Sequence, residues 1–143
     1  MIIKQLSIFV ENRPGRMAEI TEALAEQGVD IRALSLADTT DFGILRLIVN
    51  NPDAAITILN EAGVMVRSTE VIAVSVADRP GEFSNAVRVL SDAQVNIEYL
   101  YAFLSRTNNN AVIIFRVDDP QKAIDALCAK DIRLLQKAEV YNL

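Results

Sequence analysis

Short polar side chains beside two glycine turns are the residues of this chain that could do chemistry. One stretch is Asn12-Arg13-Pro14-Gly15 and the other is Asp78-Arg79-Pro80-Gly81. Glycine lets the backbone come close to a ligand, and the start of a following helix offers unpaired N–H groups that suit a carboxylate. Side-chain oxygens that could accept hydrogen bonds from an ammonium group are those of Asn12, Asp30, Asp78 and Asn96. These residue types therefore suit recognition of a small zwitterion.

The elements that must position these residues follow from an internal repeat. Three landmarks recur in the same order: Arg13-Pro14-Gly15 with Arg79-Pro80-Gly81, Val29-Asp30-Ile31 with Val95-Asn96-Ile97, and Asn51-Pro52 with Asp119-Pro120. The first two are offset by 66 residues and the third by 68, so the second copy carries two extra residues. We place that insertion in the polar stretch 106–110, because hairpin tips tolerate insertions. The repeat predicts two domains, 1–69 and 70–143.

Each copy has the pattern strand, helix, strand, strand, helix, strand. In the first copy the strands are expected at 2–10, 29–37, 43–49 and 64–69. One helix is expected between the first and second of these strands, and another between the third and fourth. In the second copy we expect strands at about 71–78, 95–105, 111–117 and 132–141, and helices at about 81–93 and 120–130. Right-handed crossovers turn this order into an α+β, ferredoxin-like fold: two tandem βαββαβ domains, each with an antiparallel sheet and its helices on one face.

Residues that typically begin, cap or end helices support these boundaries. Pro14 suits a first helical turn, because the N–H group that proline lacks would have no partner there. Asn51 and Asp119 are expected to cap the second helix of each copy. Gly28 and Gly63 are expected to end helices in the left-handed conformation.

Composition excludes several classes of protein. The chain has 143 residues, 51% of them hydrophobic, and a formal net charge of −5. An acidic chain gains nothing from release of phosphate counterions, so we expect no nucleic-acid partner. Neither a signal peptide nor an apolar run of ~20 residues is visible, so we expect no membrane association and a cytoplasmic location. The single cysteine, Cys128, is expected to be a buried core thiol.

An enzyme is a weak interpretation of this sequence. The chain has no histidine, which removes histidine-based catalytic triads and most zinc sites. No phosphate-binding loop of the Walker type appears. We therefore predict no catalytic residues, no metal site and no cofactor. The remaining enzymatic alternative is an acylphosphatase-like hydrolase, which would use Arg13 and Asn12.

Both copies resemble a known regulatory family. Residues 10–15 followed by residues 25–31 resemble the ACT domain, and in particular the regulatory domain of phosphoglycerate dehydrogenase; residues 76–81 with 95–97 are a looser match. Together the two copies cover nearly the whole chain. The resemblance implies a non-catalytic, amino-acid-binding module. It also implies that two domains join through an edge strand, with the ligand between the loop after the first strand of one and the second strand of its neighbour.

The predicted ligand-binding residues follow from that arrangement. In the first copy they are Asn12, Arg13, Pro14, Gly15, Arg16, Met17, Asp30 and Ile31. In the second copy they are Asp78, Arg79, Pro80, Gly81, Glu82, Phe83, Asn96 and Ile97. The alternative is that the Arg-Pro-Gly motifs are only strand-to-helix turns, and that the short polar residues are caps and turn formers.

The pairing of the copies decides whether the sites are alike. If the two copies pair with each other, Asn12 meets Asn96 in one site, and Asp78 meets Asp30 in the other. Two carboxylates would repel the ligand carboxylate, so the Asn12 site would be the stronger. If like copies pair across a dimer, Asn12 meets Asp30 and the two sites become similar.

A pair of such domains without an effector domain needs something to respond to its ligand. We expect a homo-oligomer, most simply a dimer, joined through the second strand of a copy, which is a sheet edge in this topology. The alternative is a regulatory subunit that binds a partner enzyme of amino-acid metabolism, as the small subunit of acetolactate synthase does.

Overall fold

The computed structural model describes residues 1–37, 41–104 and 109–143. Its elements are β1 (Ile2–Glu11), α1 (Arg16–Glu26), β2 (Ile31–Ala37), β3 (Phe42–Val49), α2 (Pro52–Glu61), β4 (Val66–Ala77), α3 (Glu82–Asp92), β5 (Ile97–Ala102), β6 (Asn110–Val117), α4 (Pro120–Cys128), β7 (Arg133–Leu134) and α5 (Lys137–Tyr141). The predicted α+β class and the βαββαβ order are confirmed. The predicted insertion at 106–110 lies largely outside the described residues.

The chain divides into two compact units. The N-terminal unit comprises residues 4–69, and the C-terminal unit comprises residues 70–143 together with residues 1–3. Strand β4 runs without a break from residue 66 to residue 77. The strand expected to end the first copy and the strand expected to begin the second are therefore one strand.

In the N-terminal unit, β3 lies between β1 and β2 and is antiparallel to both. Glu11 lies opposite Phe42, and Ala37 lies opposite Ile44. The ends of β1 and β2 and the start of β3 therefore meet at one end of the sheet, which we call the turn end. Asp30, just before β2, lies at the opposite end.

The core of the N-terminal unit lies between this sheet and its two helices. Every second residue of β1 faces the helices, as the period of a strand requires. The buried core residues are Leu6, Ile8, Val10, Ile20, Leu24, Val29, Leu45, Leu47, Val49, Ala55, Leu59 and Val64. Because α1 and α2 contribute to the same cluster, both helices cover the same face of the sheet, as predicted.

The C-terminal unit repeats this plan. Strand β6 lies between β4 and β5, antiparallel to both, and β7 pairs with β4. Its core combines the strands with α3 and α4: Ile72, Val74, Val76, Ala86, Leu90, Val95, Ile113, Phe115, Val117, Ala123, Ile124, Leu127 and Leu134.

Each of the four longer helices ends in a left-handed residue. At the end of α1, the N–H of Gly28 donates to the carbonyl of Ala25 and the N–H of Val29 donates to that of Leu24, both over 3.0 Å. This pair of bonds satisfies carbonyls that the last turn leaves without partners. Gly28 and Gly63 have φ of 72° and 74°, as expected of helix-ending glycines. The corresponding positions in the second copy hold non-glycine residues at φ 57° and 56°: Gln94 and Asp131.

The caps of the second helices are confirmed. The Asn51 side chain accepts a hydrogen bond from the N–H of Ala54 over 3.1 Å, and Asp119 accepts one from the N–H of Lys122 over 3.0 Å. Pro14, by contrast, lies in the turn before α1, because Gly15 is the residue that precedes the helix.

The predicted last strand at 132–141 is wrong for most of its length. Strand β7 has two residues, and α5 follows it. The N–H of Gln136 donates to the Glu139 carboxylate over 2.8 Å, which begins a helix where a strand was expected. Arg133 fixes the same carboxylate with an ion pair of 2.6 Å. A local capping arrangement thus replaces the sheet pairing.

Cys128 is exposed, so its expected burial is also wrong. It is the final residue of α4, and the core-facing position of that turn belongs to Leu127.

Candidate functional site

The two Arg-Pro-Gly turns have the same backbone geometry. In the first, the N–H of Asn12 donates to the carbonyl of Asp41 over 3.1 Å; in the second, that of Asp78 donates to the carbonyl of Asn109 over the same distance. Each turn is therefore held against the hairpin between the second and third strands of its copy.

The glycine of each turn has a conformation that side chains disfavour. Gly15 has φ 88° and Gly81 has φ 94°, and each directly precedes a helix. Gly15 and Gly81 have no side chain with which to cap α1 and α3. Both helix starts therefore present first-turn N–H groups, together with the positive end of the helix dipole, as an anion site requires.

A small cavity adjoins the turn in the N-terminal unit. Its volume is about 80 Å³, and it is lined by Val10, Glu11, Asn12, Arg13, Met17, Leu36 and Gly43. Three of these residues are among those predicted from the sequence: Asn12, Arg13 and Met17. Val10, Met17 and Leu36 give the cavity an apolar wall beside the polar turn.

Sequence reasoning missed four residues of this cavity. Val10 and Glu11 directly precede the turn, whereas Leu36 and Gly43 lie further along the chain. Leu36 and Gly43 come from β2 and β3, and only the pairing of these strands brings them to the turn end. The alternation of apolar and polar residues along β2 was the available signal. Leu36 lies on the same face as the core residue Leu45, opposite to it in register, yet is 49% exposed because β2 is at the sheet edge.

Charged side chains brace the turn of the N-terminal unit. Arg13 contacts Glu11 and Glu19, each over 3.2 Å, and Arg16 contacts Glu19 over 3.0 Å. Hydrogen bonds from Arg16 and Arg13 lower the pKa of the Glu19 carboxyl. Hydrogen bonds to Glu19 and Glu11 raise the pKa of the Arg13 guanidinium. Both arginines therefore already serve carboxylates of their own turn.

The surface beside the equivalent turn of the C-terminal unit is formed by different residue types. It borders a hollow of about 400 Å³ lined by Ala77, Asp78, Arg79, Asn109 and Asn110. Arg79 forms an ion pair of 2.6 Å with Glu82. Phe83 stacks on Phe115 with ring centroids 6.2 Å apart. This hollow is mainly polar, whereas the cavity of the N-terminal unit has an apolar wall.

The predicted site residues Asp30 and Asn96 lie at the other end of each sheet. The N–H of Asp30 donates to the Asn50 side chain, and the N–H of Asn50 donates to the Asp30 carbonyl, both over 3.0 Å. Arg32 pairs with the Asp30 carboxylate over 2.8 Å. Within the N-terminal unit the structure therefore does not bring Asp30 to Asn12. Ile31, which follows Asp30, packs against the core.

Asn96 is held to Asp118 by an equivalent set of hydrogen bonds, and we call each such set a bracket. The N–H of Asn96 donates to one carboxylate oxygen over 3.0 Å, and its side-chain amide donates to the other over 2.8 Å. These hydrogen bonds, with that of the side chain the larger, lower the pKa of Asp118. Asn50 and Asp118 could have been found as the polar residues just before the two helix caps. Ile97 packs against its core as Ile31 does.

The described ranges 1–37, 41–104 and 109–143 contain neither a metal-binding cluster nor a helix that could cross a membrane. They contain no group of three or more side chains that could hold a metal ion. No helix within them is both long and apolar enough to cross a membrane.

Comparison with protein families identifies the fold. Residues 1–143 match the family described as an ACT domain pair, and the chain belongs to that family. An ACT domain pair is a regulatory module of the amino-acid-binding type. The resemblance to the ACT domain that the two Arg-Pro-Gly turns carry is thus confirmed.

Solved structures agree with this assignment. Protein BT0572 from Bacteroides thetaiotaomicron is similar with a TM-score of 0.94 and 39% identity, over 100% of this chain and 98% of that one. The regulatory subunit of aspartate kinase from Thermus thermophilus is similar with a TM-score of 0.62 and 17% identity, over 88% of this chain and 91% of that one. The corresponding subunit from Thermus flavus has a TM-score of 0.61 and 15% identity, over 88% and 90%. At this identity the last two show a shared fold. A comparison with curated proteins finds no match.

Proposed function

We propose that this protein is a non-catalytic regulatory module whose ligand is a small amino acid, bound at the turn between β1 and α1. The observation that carries the proposal is the cavity of about 80 Å³ beside Asn12 and Met17, next to the start of α1, which a glycine precedes. A polar turn and an apolar wall side by side suit a molecule with a charged end and an apolar side chain.

Each part of such a ligand has a counterpart at this turn. The ligand carboxylate lies at the start of α1, where first-turn N–H groups and the helix dipole favour an anion. The ammonium group donates to the side-chain oxygen of Asn12. The side chain lies against Val10, Met17 and Leu36. Because the cavity is small, the side chain is small and apolar.

The remaining contacts come from the second strand of a neighbouring ACT copy. Asp30 and Asn96 precede the second strands of their copies, and each is already fixed by a backbone bracket. The side-chain oxygen of Asp30 or Asn96 can therefore accept a hydrogen bond from a ligand at the turn of a neighbouring copy, and the backbone that carries it is already ordered. Whether Asn12 meets Asn96 or Asp30 depends on which copies pair.

The two turns of one chain are not equivalent as ligand sites. Asn12 is a neutral amide beside an apolar wall, and Asp78 is a carboxylate in a polar hollow. A carboxylate at this position opposes the ligand carboxylate. We therefore expect the turn of the N-terminal unit to bind more tightly.

Regulation follows if the ligand bridges two copies. It then favours the assembled state by its higher affinity for that state. Edge strand β2 carries Leu34 and Leu36, which are 39% and 49% exposed, beside backbone groups that can pair with another strand. We infer that a second copy of the chain docks at this edge and forms a homodimer.

A thermal-shift screen against the twenty amino acids tests the ligand. A ligand that binds only the folded state raises the melting temperature by mass action, by about 2.7 kcal/mol of unfolding free energy at a hundredfold excess over Kd. We expect one small apolar amino acid to respond, with loss of the response in Asn12→Ala and its retention in Asp78→Ala. A flat screen would reject the amino-acid ligand and favour a subunit that acts on a partner enzyme.

A further inference from the structure

A second hollow of the N-terminal unit is bordered by the end of β1 and by the starts of α1, β3 and β4. Its volume is about 450 Å³, and it is lined by Phe9, Glu11, Arg16, Phe42, Gly63, Met65 and Arg67. Phe9 alternates with the core residues Ile8 and Val10, so its ring points to the opposite side of β1. This hollow, which we call the outer hollow, shares only Glu11 with the cavity beside Asn12.

The outer hollow has an apolar floor. Phe9, Phe42 and Met65 are 43%, 53% and 64% exposed, and they are among the large apolar side chains that the fold leaves in contact with water. Two aromatic rings and a thioether offer a flat, polarisable surface for a ring or an alkyl chain. Covering that surface removes apolar area from water, which favours binding in proportion to the area.

The rim of the outer hollow carries an uncompensated positive charge. Glu11 is engaged by Arg13 over 3.2 Å, and Arg16 by Glu19 over 3.0 Å. Arg67 is exposed and forms no ion pair within the part of the chain that the structure describes. Such an arginine, next to an apolar floor, is complementary to an anion with an apolar body.

We propose that the outer hollow binds an organic carboxylate with an apolar body, such as an aryl or medium-chain acid. The guanidinium of Arg67 forms a charge-assisted, two-pronged contact with the carboxylate. The body of the ligand lies on Phe9, Phe42 and Met65. The volume of about 450 Å³ falls within the usual range for small-molecule sites. This site is separate from the amino-acid site and does not depend on it.

The test uses 3-phenylpropanoate as the probe and 3-phenylpropanamide as its uncharged counterpart. Both are titrated into the full chain, and binding is followed by NMR of the methionine methyl groups, since Met65 lies on the floor. We expect saturable binding of the acid that shifts the Met65 methyl signal, and about tenfold weaker binding of the amide, as loss of a charge-assisted contact predicts.

Variants separate a specific site from a general charge effect. Arg67→Met keeps an apolar stem and should weaken the acid about tenfold. Arg88→Met makes the same change in net charge at an exposed position of α3 and should leave the affinity unchanged. Asn12→Ala should also leave it unchanged, which distinguishes this site from the amino-acid site.

Three results would overturn the proposal. The first is no shift of Met65 at about 10 mM acid, where even a millimolar site would be filled. The second is equal binding of acid and amide, or binding that Asn12→Ala abolishes. The third is a dimer by analytical ultracentrifugation that Phe42→Asp converts to monomer, which would make the outer hollow an interface between copies.

Discussion

Replacing the turn glycines by alanine separates their structural role from their role at the ligand. Gly15 and Gly81 have φ of 88° and 94°, and a Cβ atom built on either one meets no atom within 4 Å. The substitution therefore introduces no clash, and its cost is that of the backbone conformation alone. The two variants form a matched pair, because the turns share their hydrogen-bonding pattern.

The magnitude follows from two opposing terms. A left-handed conformation costs a residue with a side chain about 1–2 kcal/mol relative to glycine. Alanine offsets about 0.4–1 kcal/mol by reducing the entropy of the unfolded chain. We expect each variant to lose about 1 kcal/mol of unfolding free energy, which lowers the melting temperature of a chain of this size by about 3–4 °C.

The assay is urea unfolding of both variants beside the unaltered chain, followed by a ligand titration. Both should lose similar stability, but only Gly15→Ala should weaken the amino acid, since its turn borders the cavity beside Asn12. Unchanged stability in either variant would refute the claim that the left-handed turn is required. Equal loss of affinity in both would refute the inequality of the two sites.

The remaining predictions concern helix ends and the bracket at the start of β5. Gln94→Gly and Asp131→Gly should each raise the unfolding free energy by about 0.5–1 kcal/mol, because φ of 57° and 56° suits glycine. Gly28→Gln should lower the unfolding free energy by a similar amount in the same urea assay. If none of the three variants changed it, the left-handed backbone would carry no energetic cost at these positions. Asn96→Ala should raise the pKa of Asp118, which the Asn96 hydrogen bonds lower. A lowered carboxyl pKa stabilises the fold at pH values above the ordinary aspartate pKa of about 3.9, and this contribution is lost as the pH falls through the folded pKa. The variant should therefore be less stable than the unaltered chain at neutral pH, and the difference should shrink as the solution is acidified. A carboxyl NMR titration measures the shift, and an unmoved Asp118 would contradict the bracket.

The repeated fold could be predicted because its signals are local. Gly28 and Gly63 mark helix ends by residue type, and the caps at Asn51 and Asp119 precede prolines. Gln94 and Asp131 adopt the same conformation without that signal. The residue after each one makes the same helix-ending hydrogen bond: the N–H of Val95 donates to the carbonyl of Leu90, and that of Ile132 donates to the carbonyl of Leu127. The strand expected at 132–141 failed because the Gln136–Glu139 contact begins a helix, and its apolar residues suit either structure.

The candidate site could be predicted only where it is built from one segment. Asn12, Arg13 and Met17 follow from the turn motif and the helix after it. Leu36 and Gly43 reach the cavity through pairing of β2 with β3, which no short window of sequence specifies. The polar residues before β2 and β5 could be recognised, but their brackets depend on side chains about twenty residues away.

The most direct test of the central claim is isothermal titration of small apolar amino acids into the unaltered chain, Asn12→Ala and Asp78→Ala. The account predicts that one of these amino acids binds the unaltered chain, that Asn12→Ala abolishes the heat of binding, and that Asp78→Ala preserves it. Undiminished binding in Asn12→Ala, or no heat from any amino acid at concentrations well above millimolar, would contradict the assignment of an amino-acid site to the turn between β1 and α1.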